Sequence, residues 1–358
     1  PHAVREAMQS AADVAWGNPS STHAVGRASR QLLEGARESI ATVLGANAAD
    51  IVLTGGGTEA CNLGIRASAR GCRRVVSTTV EHPAVAKCVE RFAREGGEAV
   101  VLDVPHGSPP SADDLAAHLD PETAVAVQWV NHETGTVFPI EAYVRACRDR
   151  GARIFIDATQ ALGKLPIDLD ELGADAVAVA AQKIGGPAGA GACWLRRGLD
   201  VDPVLEGGSQ ERGRRPGTPD TSSMVGFGAA CALVSRRIDA QPAIGALRDL
   251  VERRLREAGA SSNAATTSRV ATVANLSFEG WEGPLLVAAL DLEGICLSTG
   301  AACSSGLQEP SAVIRAMYPD EQWRAGSAVR ISLGMETTVS EIETALRAFE
   351  RVLARKVT

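Results

Sequence analysis

The chain has 358 residues, 45% hydrophobic and 22% charged, with a formal net charge of −7. That is a globular balance, with length for one large domain and a smaller one. The acidic charge argues against direct nucleic-acid binding and a polybasic membrane anchor, and no run of eighteen apolar residues is present to span a membrane.

Apolar residues over 28–44 recur at helical spacing, with Leu33, Ala36, Ile40 and Leu44 on one side. A strand is predicted over 51–54, ended by Gly55, Gly56 and Gly57, and a helix over 59–69. A helix N-terminus behind a glycine turn can receive an anion. Strands are predicted over 75–79, 99–102, 124–129, 153–157, 177–181 and 192–195, separated in places by helices over 83–95, 112–119 and 139–150. Short buried strands alternating with helices imply an α/β fold whose mainly parallel sheet is covered on both faces. Residues 203–222 are too polar and glycine-rich for a core element and should form an ordered loop near a ligand or subunit contact. Helices follow over 223–237 and 241–258. Beyond the polar stretch 261–268, strands over 270–276, 295–297 and 329–332 suggest a smaller α+β domain. The last helix, 339–355, has Ser340 and Glu343 spaced as a capping box.

The expected division is a large domain over 11–238, a small domain over 239–358, and residues 1–10 packed with the small one. The start is not a signal peptide, and without an initiator Met it reads as incomplete. Eight scattered cysteines contain no Cys-x-x-Cys pair, so neither a disulfide framework nor a metal site is expected, and the expected location is the reducing cytoplasm. Only Cys303 has neighbours that suggest exposure and reactivity: it lies in Gly300-Ala301-Ala302-Cys303-Ser304-Ser305-Gly306, a composition that allows a mobile loop.

Three features together suggest a cofactor. Lys183 follows an apolar run, Asp157 ends another, and Gly55 to Glu59 form a glycine turn. A lysine amine, a strand-end carboxylate and a phosphate-sized turn are the parts that hold pyridoxal phosphate. Each alone has a plainer structural reading: a solvated lysine, a helix cap, a turn.

Their order along the chain resembles the aminotransferase class V family, and most closely its NifS/IscS-type (group I) cysteine desulfurases. The matching segments include Gly57-Thr58-Glu59-Ala60-Cys61-Asn62, Glu81-His82-Pro83, Asn131-His132-Glu133-Thr134-Gly135, Asp157-Ala158-Thr159-Gln160, Arg215-Pro216-Gly217-Thr218 and the Cys303 loop. The resemblance implies fold type I of the pyridoxal-phosphate-dependent transferases, with a mainly parallel seven-stranded sheet. It implies Lys183 as Schiff-base lysine and base, Asp157 at the pyridine nitrogen, and Gln160 at the phenolic oxygen. His82 would stack on the ring with a role in proton transfer. Gly57, Thr58 and Gln182 would meet the phosphate, as would Thr218 from the opposite subunit of a homodimer. Arg330 would clamp the substrate carboxylate beside His132, and Cys303 would take the sulfur of L-cysteine as a persulfide for an acceptor protein or thiol. The other readings are a selenocysteine or cysteine lyase, which would not need Cys303, and a non-catalytic sulfur-carrier scaffold, which the presence of Lys183 disfavours.

The resemblance breaks in three places. Ala180-Ala181-Gln182-Lys183 stands where the family has Ser-Gly-His-Lys, which removes two phosphate donors and leaves Gln182 as one. His132 replaces an Asn that faces cofactor and substrate. The family's opening strand and its Ala-Thr-Thr segment are not in this sequence.

Overall fold

The computed structural model describes residues 1–264, 267–300 and 309–355. Seven strands, β1 (Ile51–Thr54), β2 (Arg74–Thr78), β3 (Glu98–Leu102), β4 (Thr123–Gln128), β5 (Arg153–Asp157), β6 (Ala176–Ala180) and β7 (Gly191–Leu195), form one sheet in the order β1-β7-β6-β5-β4-β2-β3. Pairing is parallel from β6 through β5, β4 and β2 to β3, while β7 is antiparallel to both β6 and β1.

Side-chain alternation divides this sheet into two unlike faces. Val125, Val127, Ile154, Ile156, Val177 and Val179 enter one hydrophobic cluster. Ala124, Ala126, Ala176, Ala178 and Phe155 enter the other. The small side chains let the helix Gly57–Ala69 cross β5, β6 and β7 at close range. Gly64 marks the closest approach: a Cβ there would lie 2.5 Å from the Phe155 ring. The helix that follows the glycine turn is therefore held by packing as well as by the turn.

A second sheet contains β8 (Ser261–Ser262), β9 (Val273–Ser277), β10 (Ser298–Thr299) and β11 (Ala328–Ser332), all antiparallel, in the order β10-β11-β9-β8. The helices Gln241–Glu257, Gly283–Asp291 and Val339–Ala354 close its core around Leu255, Leu276, Leu286 and Phe349.

Four expectations are corrected. The strand predicted over 295–297 forms at Ser298–Thr299, and the polar stretch after 260 contributes edge strand β8, whose backbone pairs with Leu276 and Ser277 without apolar side chains. The helix predicted over 223–237 is two helices, Thr221–Cys231 and Val234–Asp239, with no glycine or proline at the break to announce it. The capping box of the last helix lies two residues earlier: Thr338 Oγ1 accepts from Glu341 N at 3.2 Å, and Glu341 Oε2 accepts from Thr338 N at 2.8 Å. Ser340 and Glu343 have the same spacing but fall inside the helix. Residues 1–10, expected to pack with the small domain, pack mainly on the large one among the described residues. The helix His2–Val14 lies on the helix Thr221–Cys231, where Ser222 Oγ donates to the Met8 carbonyl at 2.9 Å and Gly226 leaves room for the Met8 side chain.

The loop after 203 is tied back to the large sheet. Glu211 forms a buried ion pair with Arg37 at 2.6 Å and accepts from Leu53 N at 2.9 Å. Glu211 and Arg212, which donates to the Ala49 carbonyl, stand at φ of +48° and +59°, a region costly for non-glycine residues.

Candidate active site

β1, β5 and β6 run in the same direction, so their C-terminal ends open on one edge of the sheet. Open α/β sheets bind ligands at that edge. Asp157 is the last residue of β5 and is buried; its Oδ1 accepts from Thr159 N at 2.9 Å. β6 ends at Ala180, and the single 3₁₀ turn Ala181–Ile184 then carries Gln182 and Lys183, closed by Gly185 at φ +79°. Beyond β1, Gly56 caps the helix Gly57–Ala69 at φ +141° with no side-chain cap, which leaves the amides of its first turn, Gly57 and Thr58 included, for an anion. A Cβ at Gly57 would lie 3.1 Å from the Ala180 methyl and 3.4 Å from Thr159 Oγ1, a buried hydroxyl without a partner among the described residues.

His82 caps the helix Pro83–Arg94, its Nδ1 accepting from Ala84 N at 3.1 Å. That bond assigns the proton to Nε2 in the neutral ring. Burial lowers the His82 pKa, opposed by Asp157 and assisted by Lys183. The capping reading is thus real, and the ring still lies among the strand-end residues, edge-on to His132 with centroids 5.1 Å apart. His132 is itself buried, its Nδ1 unpartnered among the described residues, and burial, then His82, Arg330 and Lys183, pull its pKa down to about 3. Arg330, on the inner strand β11, donates from Nη1 to the His132 carbonyl at 2.9 Å, and its Nε is buried without a partner among the described residues. It pairs with no carboxylate among the described residues, so the alternative of an interdomain salt bridge fails.

A cavity of about 260 Å³ joins some of these groups. His132, Gln160, Gln182 and Lys183 line it from the large sheet and Arg330 from the small one. Asp157, His82, Gly57 and Thr58 lie outside its lining, at the sheet edge beside it. Thr218 is exposed in the segment before the helix Thr221–Cys231 and does not line the cavity. Cys303 lies outside the described residues. At the end of that stretch, Ser311 Oγ donates to the buried Glu133 at 2.6 Å, next to His132.

A family model described as Aminotransferase class-V matches residues 1–345. A cysteine desulfurase of Bradyrhizobium diazoefficiens is 38% identical over 347 residues, covering 95% of this chain and 88% of that protein. The chain belongs to the aminotransferase class V family, among its NifS/IscS-type cysteine desulfurases. Among solved structures, a NifS-like protein superposes with a TM-score of 0.91 at 28% identity, covering 98% of this chain and 95% of that one. Another, described as SspA in complex with cysteine, gives 0.82 at 27% identity over 94% and 96%. The fold is type I of the pyridoxal-phosphate-dependent transferases, with a large mixed sheet and a smaller domain.

The residues present fit the cofactor of this desulfurase family. The uncapped helix start, the tight Gly57 and the orphan Thr159 hydroxyl form an anion cradle, and the buried Asp157 carboxylate suits a protonated pyridine nitrogen. Sequence reasoning did not single out Thr159, Lys164, Arg237 or Gln241. Thr159 and Lys164 were within reach of it, one between Asp157 and Gln160 and the other four residues past Gln160. Arg237 and Gln241 enter the cavity from separate helices, with no motif to signal them.

Proposed function

We propose that this protein converts L-cysteine to L-alanine and carries the released sulfur as a persulfide on Cys303 to an acceptor protein or thiol. The observation that carries the reading is the shared cavity: Lys183 lines it from the strand-end side, and Arg330, its fork unmatched by a protein carboxylate among the described residues, from the other. A basic residue for the α-proton and a clamp for the α-carboxylate are the two needs of amino-acid chemistry at the α-carbon. The similar SspA, solved in complex with cysteine, supports that substrate.

Bound pyridoxal phosphate would supply an electron sink for the α-carbon. Gly57, Thr58, Thr159 and Gln182 would hold its phosphate, Asp157 its pyridine nitrogen, Gln160 its phenolic oxygen and Lys183 its aldehyde carbon. The Lys183 amine would also serve as the base for the substrate's α-proton. Arg330 offers two remaining donor groups to the substrate carboxylate, since one Nη is committed to the His132 carbonyl. His82, whose burial favours the neutral ring, would face the cofactor with its Nε2–H, since Nδ1 accepts from Ala84 N. The Cys303 thiolate attacks the substrate sulfur: an S–S bond forms, the C–S bond breaks, and carbon keeps the electron pair and takes a proton, which yields alanine. Thr218, exposed and away from this cavity, suits the partner's phosphate in a homodimer.

The test is product analysis with L-cysteine. Alanine and acceptor-dependent sulfide, in equal amounts, are expected. Pyruvate and ammonia as main products would move the protein to the lyases, and no turnover with a bound cofactor would leave the scaffold reading.

A further inference from the structure

Lys164 lines the same cavity as Lys183 and has no role in the reading above. Its ammonium can only donate. It donates to Oε1 of Gln160, on the turn that follows β5. That bond decides which end of the Gln160 amide faces which way: Oε1 meets Lys164, and Nε2 is turned from it, with no hydrogen-bond partner among the described residues.

The charges around Lys164 give the contact a second consequence. Burial, then Lys183, Arg330 and Arg237, pull its pKa down to about 7. Lys183 also acts on His82, which Asp157 opposes, and Glu336 acts on Arg237. An anion bound in the cavity opposes that pull and favours the ammonium. Lys164 is thus most firmly a donor when an anionic ligand is present.

We propose that Lys164 is a positioning residue: by holding Oε1 it presents the Nε2–H of Gln160 to the phenolic oxygen of bound pyridoxal phosphate. Without it the amide can rotate and offer an acceptor to that oxygen, which repels. The inference deepens the cofactor reading above and rests on it.

The test titrates the visible band of the cofactor-loaded full chain against pH. A donor to the phenolic oxygen and a nearby cation both favour the deprotonated chromophore. Lys164→Met should therefore raise the midpoint by about half a unit to one unit. The Lys164→Met and Gln160→Ala shifts should combine to less than their sum, because one acts through the other. Lys164→Gln is neutral but still donates to Oε1, and should bring the midpoint at least halfway back. An unmoved midpoint in Lys164→Met overturns the proposal. Strict additivity does too, since Lys164 would then be only a remote charge, and so does a Lys164→Gln midpoint equal to that of Lys164→Met. If Lys164→Met fails to fold, Lys164→Ala against Lys164→Gln gives the same contrast. A wild type with no pH-sensitive band bound through Lys183 would instead remove the cofactor reading, which is seen before any Lys164 variant is made.

Discussion

The strand-end side of the cavity and the side built from the smaller sheet reach the same space by different means. On the first, Gly57, Asp157 and Lys183 stand at the ends of parallel strands or within a few residues of them, so backbone hydrogen bonds and buried apolar side chains set their positions. On the second, Arg330, Arg237 and Gln241 extend long side chains from β11 and two helices. On the proposed reading, the first group would act on a cofactor that does not change size, whereas the second would meet a substrate that comes and goes. Loss of a strand-end group should therefore remove chemistry, and loss of a long side chain should weaken affinity.

Lys183→Ala is the strongest test of that contrast. It should abolish the yellow colour carried by a covalently held cofactor and all turnover, with an unchanged melting curve. Borohydride reduction and peptide mapping should place the label on Lys183, and a label on any other lysine breaks the assignment.

Arg330→Ala should act mainly on KM. A charge-assisted bond is worth about 1.5–3 kcal/mol, so kcat/KM should fall roughly ten- to hundredfold, with the colour kept. A loss of cofactor equal to that of Lys183→Ala would erase the difference between the two sides.

A gain on the strand-end side sharpens the comparison. Ala180→Ser with Gln182→His should return one or two phosphate bonds next to Gly57, where the Ala180 methyl lies. Cofactor dissociation should slow severalfold to about tenfold, given roughly 1 kcal/mol per net hydrogen bond. An unchanged rate would show that Thr159 and the helix start already satisfy the phosphate.

The smallest effect concerns His132 and acid. Its folded pKa of about 3 lies below the ordinary 6.5, so under pH 6.5 the unfolded chain binds a proton that the folded chain refuses. Stability therefore falls as pH drops from 6.5 toward 3 and is untouched above that window. His132→Asn should melt with less loss than wild type between about pH 7 and about pH 5. Equal losses would mean that His132 charges freely in the folded state.

The strand-end side was legible in the sequence because its signals are local. Glycines after 51–54, an Asp closing 153–157 and a Lys after 177–181 each follow a strand whose apolar run is visible, and the parallel sheet brings such ends to one edge. Arg330 was legible only as a charge within an apolar strand, and its bond to the His132 carbonyl depends on how two sheets meet. Arg237 lies on a helix with nothing in its neighbours to mark it. The misplaced capping box has a simpler cause: Thr338/Glu341 and Ser340/Glu343 satisfy one spacing rule, and only the backbone decides between them. The placement of residues 1–10 was decided by a close fit at Gly226, which no pattern in that segment foretells.

The central claim is that sulfur leaves cysteine by way of Cys303. Wild type given L-cysteine without reductant should carry one additional sulfur on the Cys303 peptide, read by mass spectrometry. Cys303→Ser should still shift the cofactor spectrum on adding cysteine and release almost no alanine, because a hydroxyl cannot accept the sulfur. An unmodified Cys303 peptide together with near-normal alanine release by Cys303→Ser would contradict it.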